Sequence, residues 1–74
     1  MELVLNTFGT NLQVEDGLFA VKHRDGKQTL EPKQVKSILV SKGARISSDA
    51  ALLAIENEID VLFIDKMGKP AGRV

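Results

Sequence analysis

The 74-residue chain contains no cysteine, no tryptophan and no tyrosine, and its only aromatic residues are Phe8, Phe19 and Phe63. Without cysteine, neither a disulfide framework nor a thiolate zinc site is possible, which fits a reducing, cytoplasmic setting. A core with so few large side chains and no covalent or metal staple is marginal alone. The chain is therefore expected to lean on a second copy, a partner or a further piece of its own chain. No apolar run approaches the length of a membrane span, so no membrane association is expected. Residues 1–10 lack a basic stretch followed by a long apolar run and do not read as a secretory signal.

What is present is an ordinary globular composition, 43% hydrophobic and 27% charged, with a formal net charge of zero. That charge is unevenly spread. Lys22, Arg24, Lys27, Lys33, Lys36, Lys42 and Arg45 face only Asp25 and Glu31 between residues 22 and 45, giving that segment +5 and the rest of the chain −5. A local basic patch can meet phosphates although the bulk charge exerts no long-range pull. Its candidate DNA contacts are Lys22, Arg24, Lys36, Lys42 and Arg45. The blander reading is that lysines on exposed strands guard against edge pairing.

Period and turn chemistry predict a single domain over residues 1–74, α+β but mostly β, with small antiparallel or mixed sheets and one short helix. Leu3, Val4 and Leu5 form a short strand broken by Gly9. Leu12, Val14, Phe19 and Val21 flank Asp16-Gly17, a strong two-residue hairpin signal. With the turn at 16 and 17, Val14 faces Phe19 and Leu12 faces Val21, which places all four apolar side chains on one face. Asp25-Gly26 repeats the signal and predicts Val21 opposite Leu30 and His23 opposite Gln28. Pro32 ends that third strand because it has no N–H to donate. Val35, Ile38, Leu39 and Val40 form a further strand that closes at Lys42-Gly43.

A helix is expected over about residues 47–57. Ser47 is a good N-cap, Asp49 lies in the first turn, and Ile46 can staple against Ala51. Leu52, Ile55 and Ile59 mark an apolar stripe with Leu53 beside it. Residues 61–64 read as a strand buried on both faces, and residues 65–68 as a glycine turn. A last strand follows, with Pro70 marking it as an edge. One helix cannot cover every sheet face, so an open apolar strand surface is expected, with Leu12, Val14, Phe19, Val21 and Leu30 as dimer or packing candidates.

Catalytic chemistry is hard to build from these residues. His23, the single histidine, sits at a hairpin end between Lys22 and Arg24, and reads as an exposed strand residue rather than a metal ligand or a base. Asp60 and Asp65 bracket an apolar strand, a placement that can hold a divalent metal but is also common for strand-end aspartates. Residues 41–45 ahead of Ser47 outline an anion cradle, without the phosphate-loop pattern. No metal site or catalytic residue is assigned within this chain.

The ordered set of motifs resembles the N-terminal β-strand domain of the CRISPR-associated spacer-acquisition integrase/endonuclease, the larger Cas adaptation subunit. The motifs are Asn6-Thr7-Phe8-Gly9; the Asp-Gly hairpin of residues 12–21; Val35, Ile38, Leu39 and Val40; Ile46-Ser47-Ser48-Asp49-Ala50 with Leu52-Leu53-Ala54; Ile59-Asp60-Val61-Leu62-Phe63; and Gly68-Lys69-Pro70 with Gly72-Arg73. The resemblance implies a larger α-helical domain, absent here, that carries a Glu/His/Asp site for a Mg or Mn ion. It also implies a homodimer that pairs largely through the β-strand domains, a small ferredoxin-like partner subunit, and double-stranded DNA as substrate. Some relatives splay DNA ends with an aromatic wedge on this domain, a role for which the chain offers no Tyr or Trp.

The leading expectation is thus a dimerisation and DNA-positioning domain, inactive alone, of a DNA integrase that inserts spacers in antiviral defence. The rival reading is a free-standing β-rich nucleic-acid-binding module. A third reading is a small metalloenzyme built on Asp60 and Asp65.

Overall fold

The computed structural model describes residues 1–65 and 69–74, so the expected turn at Gly68 lies outside the described residues. In chain order the strands are β1 (Glu2–Leu5), β2 (Asn11–Glu15), β3 (Leu18–His23), β4 (Gly26–Leu30), β5 (Ser37–Ser41) and β6 (Arg45–Ile46). Helix α1 (Ser48–Glu56) follows, then β7 (Asp60–Ile64) and β8 (Pro70–Arg73). They form two four-stranded sheets ordered β1-β5-β7-β8 and β4-β3-β2-β6. The first is parallel across β1, β5 and β7 and antiparallel at β8; the second is an antiparallel meander with the two-residue β6 added in parallel. The architecture is the mostly β, mixed-sheet, one-helix domain that the sequence predicts.

The first hairpin has the expected register, with Leu12 opposite Val21 and Val14 opposite Phe19. Asp16 (φ 54°) and Gly17 (φ 76°) both adopt the left-handed conformation that a tight two-residue hairpin turn requires. The second hairpin corrects the sequence reading: Leu30 lies opposite Phe19, Val21 opposite Gln28, and His23 opposite Gly26. Asp25 is not among the residues with positive φ, so the Asp-Gly pair cannot make the same turn. The loop therefore moves back one residue, to Arg24-Asp25, and Gly26 opens β4. The slip is two residues, so every side chain keeps its face.

Leu5, Leu12, Phe19, Ile38, Val40, Ala50, Ala54 and Val61 join in one buried cluster fed by both sheets and the helix. This corrects the expected surface role of the second sheet's stripe. Leu12, Phe19 and Val21 are core, and Val14 and Leu30 are half-buried against it. The uncovered apolar face belongs instead to the first sheet. There, alternation turns Val4, Leu39 and Leu62 away from the core in one cross-strand row, with Ile64 one pair further on. Strand β7 is thus buried on one face at Val61 and half-buried on the other.

Ser47 caps α1, its Oγ accepting from the Ala50 N–H (3.1 Å), while its own N–H donates to the Leu12 carbonyl (2.9 Å) and ties the helix start to β2. The buried residues of α1 are Ala50 and Ala54, with Leu53 packed alongside. Leu52 and Ile55, expected in the apolar stripe, are each 56% exposed. The helix is apolar on nearly every side, so its period does not choose a face, and the small alanines win by allowing close approach to β2 and β7.

The helix ends with Ile59 N–H donating to Ala54 (2.8 Å) and Glu58 N–H to Ile55 (3.1 Å), with Glu58 at φ 56° in the position usually held by glycine. A non-glycine residue there costs roughly 1–2 kcal/mol. Glu58→Gly is expected to stabilise the domain by about 1 kcal/mol, raising the thermal midpoint by about 4–8 °C in calorimetry.

On the outer face of the second sheet, Glu15 bonds Lys22 (2.8 Å) and Lys27 (2.6 Å), joining β2 to β3 and, across it, to β4. Hydrogen bonds to Lys22 and then Lys27 lower its pKa from 4.5 to about 2. A carboxylate with a depressed folded pKa stabilises above its unfolded pKa and loses that contribution as pH falls through the folded one. The midpoint difference between the native chain and Glu15→Gln should therefore shrink as pH falls from 4.5 to about 2. It should also shrink in high salt, because the triad is at the surface.

Candidate nucleic-acid interface

Residues 6–10 connect β1 to β2 and are fastened to residues 43–45 at the β2 end. Gly9 N–H donates to the Gly43 carbonyl (2.9 Å), Thr10 N–H to Thr7 (3.1 Å), and Arg45 N–H to the carbonyl of the buried Thr10 (2.8 Å). The turn at 41–44 is closed in the same way, by Ala44 N–H on Ser41 (3.1 Å). Between the two turns lies Phe8, 88% exposed although its backbone neighbours are tied down. Its ring rests on Gly43, where a Cβ would come within 2.6 Å of a ring carbon, and Gly43 itself has φ +93°. Only glycine satisfies both the backbone and the ring at this position.

Beside Phe8 runs a groove of about 610 Å³, walled by β1 and residue 6 on one side and by Val21, His23, Arg24, Asp25 and Gln28 on the other. Of the candidate cations, Lys42 and Arg45 are exposed on the 41–45 segment next to the Phe8 turn, and Arg24 lines the facing wall. The other two are not brought there. Lys22 is held by Glu15 on the outer face of the second sheet, and Lys36 lies at the opposite end of β1, its N–H on the Met1 carbonyl (2.7 Å).

The 41–45 segment does not form an anion cradle with the helix, because β6 separates the two and Ser47 Oγ is engaged in the cap. His23 is exposed at the end of β3. Asp60 and Asp65 lie at opposite ends of β7, about 16 Å apart by strand rise, too far to share an ion. Asp65 Oδ1 accepts from the Lys69 N–H (2.9 Å) and so closes the chain reversal into β8. Among the described residues no three His, Cys, Asp or Glu side chains are grouped to hold a metal. Among these described residues no ligand set therefore fits a Mg or Mn ion.

Phe8 is not among the candidates read from the sequence, because a phenylalanine outside every strand and helix carries no periodic signal. The available signal was an aromatic inside Thr-Phe-Gly-Thr, where no strand or helix period demands an apolar side chain.

Two small sheets sharing one helix, with an exposed aromatic in the loop between β1 and β2, define a small, mostly β domain. The model of the family described as CRISPR associated protein Cas1 matches residues 3–74, and the chain belongs to that family. It is 41% identical over 76 residues to the CRISPR-associated endonuclease Cas1 1 of Archaeoglobus fulgidus, covering 100% of this chain and 22% of that relative. Its fold is that of a chain in a partial Cas6-RT-Cas1–Cas2 complex (TM-score 0.88, 20% identity, 100% of this chain and 23% of the other). It also matches the Cas1 protein of a TtCas1–DNA complex (TM-score 0.80, 18% identity, 95% and 27%). The chain thus spans about a quarter or less of the relatives it matches. No helix among the described residues is long and apolar enough to cross a membrane.

Proposed function

We propose that this domain positions double-stranded DNA and pairs with a second copy of itself within a Cas1-type integrase/endonuclease that inserts spacers during CRISPR adaptation, and that it is inactive alone. The observation that carries the reading is Phe8, an exposed ring lying against Gly43, with exposed cations at 42 and 45 on the same segment. Such a ring offers a base-stacking platform and the cations offer phosphate contacts. DNA in the TtCas1 complex and Cas2 in the other complex support DNA and a small Cas partner for the whole protein. Metal chemistry, with Mg or Mn, belongs in this reading to the helical domain expected of the family, in the cytoplasm. The pairing surface is the outer face of the first sheet, where Val4 is 44% exposed beside Leu39 and Leu62.

Two measurements test this. Phe8→Ala should weaken binding of a duplex with unpaired ends by about 1–3 kcal/mol at constant salt, with an unchanged thermal midpoint. Equal affinity for the two proteins would remove Phe8 from the site. In sedimentation at micromolar concentration the native chain should be a dimer and Val4→Glu a monomer; a native monomer would count against pairing. Metal-dependent DNA cleavage by these 74 residues would refute inactivity.

A further inference from the structure

The groove beside Phe8 is bordered by the two-residue loop of the second hairpin, and that loop holds an unlike pair. Arg24 and Asp25 are consecutive, both line the groove and both are exposed. Among the described residues the ion pairs are Glu15's with Lys22 and Lys27, and the side chains of Arg24, Asp25 and nearby Gln28 have no bonded partner. The wall thus offers donors that cannot accept beside acceptors that cannot donate, and the pair carries no net charge. A phosphate or carboxylate would meet Asp25 as well as Arg24, so a free anion does not fit. A neutral planar molecule with separate donor and acceptor edges does. Phe8, lining the same groove and 88% exposed, adds an aromatic face. The groove's volume of about 610 Å³ lies within the range of about 300–1,000 Å³ usual for small-ligand sites.

We infer that this groove is a base-specific subsite for one unpaired guanine, stacked on Phe8 and held by its edges between Arg24 and Asp25. This specificity rests on the reading of Phe8 as a stacking platform for DNA, and adds which base it takes. Guanine alone among the DNA bases carries two adjacent donors, N1–H and N2–H, and one carboxylate accepts both. On its other side O6 and N7 are adjacent acceptors, which a guanidinium matches with two bonds. Adenine and cytosine each place a single amino donor beside a ring acceptor, and thymine places its one N–H between two carbonyls. In each of those cases the second Asp25 oxygen would face a lone pair. Gln28, both donor and acceptor, can serve either edge. The guanine must be unpaired, because N1–H, N2–H and O6 are the groups that otherwise pair with cytosine.

The test uses a DNA hairpin duplex with one unpaired 3′ or 5′ nucleotide, varied among the four bases, with binding read by fluorescence anisotropy at constant salt. At one of the two ends guanine should bind about tenfold more tightly than the other three bases. Hypoxanthine, which lacks the N2 amino group, and 7-deazaguanine, which lacks the N7 acceptor, should each lose most of that advantage. Asp25→Asn keeps the turn propensity of the loop and should bring guanine level with hypoxanthine, with an unchanged thermal midpoint. Equal affinity for the four bases at both ends would overturn the inference and leave Phe8 a non-specific platform. A guanine preference that Asp25→Asn leaves intact would overturn it too. If no duplex binds, guanosine monophosphate is titrated against the chain by NMR, with adenosine monophosphate as control. Shifts at Gln28 and Phe8 with the guanine nucleotide only would keep the guanine site and remove the duplex-positioning reading. No shift with either nucleotide would overturn both.

Discussion

Phe19→Ala is expected to leave the chain substantially unfolded at 25 °C. Phe19 is the largest side chain that is wholly buried, and it lies at the centre of the meander, between Val14 and Leu30 in the cross-strand register. Removing a buried phenylalanine ring costs about 3–5 kcal/mol, part from lost transfer and part from the cavity left behind. A domain of this size without disulfide or metal holds about the same amount in total. No second large aromatic is available to collapse into the space, since Phe63 is only partly buried and Phe8 is outside. Circular dichroism should show loss of the cooperative thermal transition. Retention of a midpoint within a few degrees of the native chain would mean that the two sheets close over the gap. The same truncation at Phe8 removes almost no buried surface and should leave folding untouched, so the two phenylalanines separate stability from binding.

The second large effect is at Ala54, where Ala54→Leu should destabilise by about 1–3 kcal/mol whereas Leu52→Ala should stay within about 0.5 kcal/mol. Ala54 is wholly buried, and its methyl group sets how closely α1 approaches the strands. A leucine there must push the helix outward or take a strained rotamer, and either loosens the contacts at Ala50 and Leu53. Leu52 gives up little on truncation because more than half of it already meets water. Urea denaturation of the two variants measures the contrast directly. A larger loss from Leu52→Ala would return the buried face to the larger side chains that the sequence periodicity favours.

The helix shows most clearly where sequence reading stops. Its existence and limits were legible, because Ser47 capping, alanine and leucine propensity, and the unwinding at Asn57 are local. Its buried side was not, because an apolar surface on nearly every side leaves no preferred face until another element approaches. The site divides in the same way. The basic segment was visible as charge, but only the fold separates Lys42 and Arg45, beside Phe8, from Lys22 and Lys36, which are held elsewhere. Phe8 gave no periodic signal. Its exposure follows from hydrogen bonds between two turns more than thirty residues apart.

By itself the sequence determined the strands other than the two-residue β6, the helix, the register of the Asp16-Gly17 hairpin and the resemblance to the Cas1 family. These rest on interactions between residues within a few positions of one another, where turn geometry and side-chain period leave few choices. Tertiary structure alone decided the parallel pairing of β1 with β5, the one-residue-earlier second turn, the helix face that is buried, and which sheet keeps an open apolar surface. Those outcomes depend on competition among distant surfaces for one small core, and no local pattern records which of them prevails.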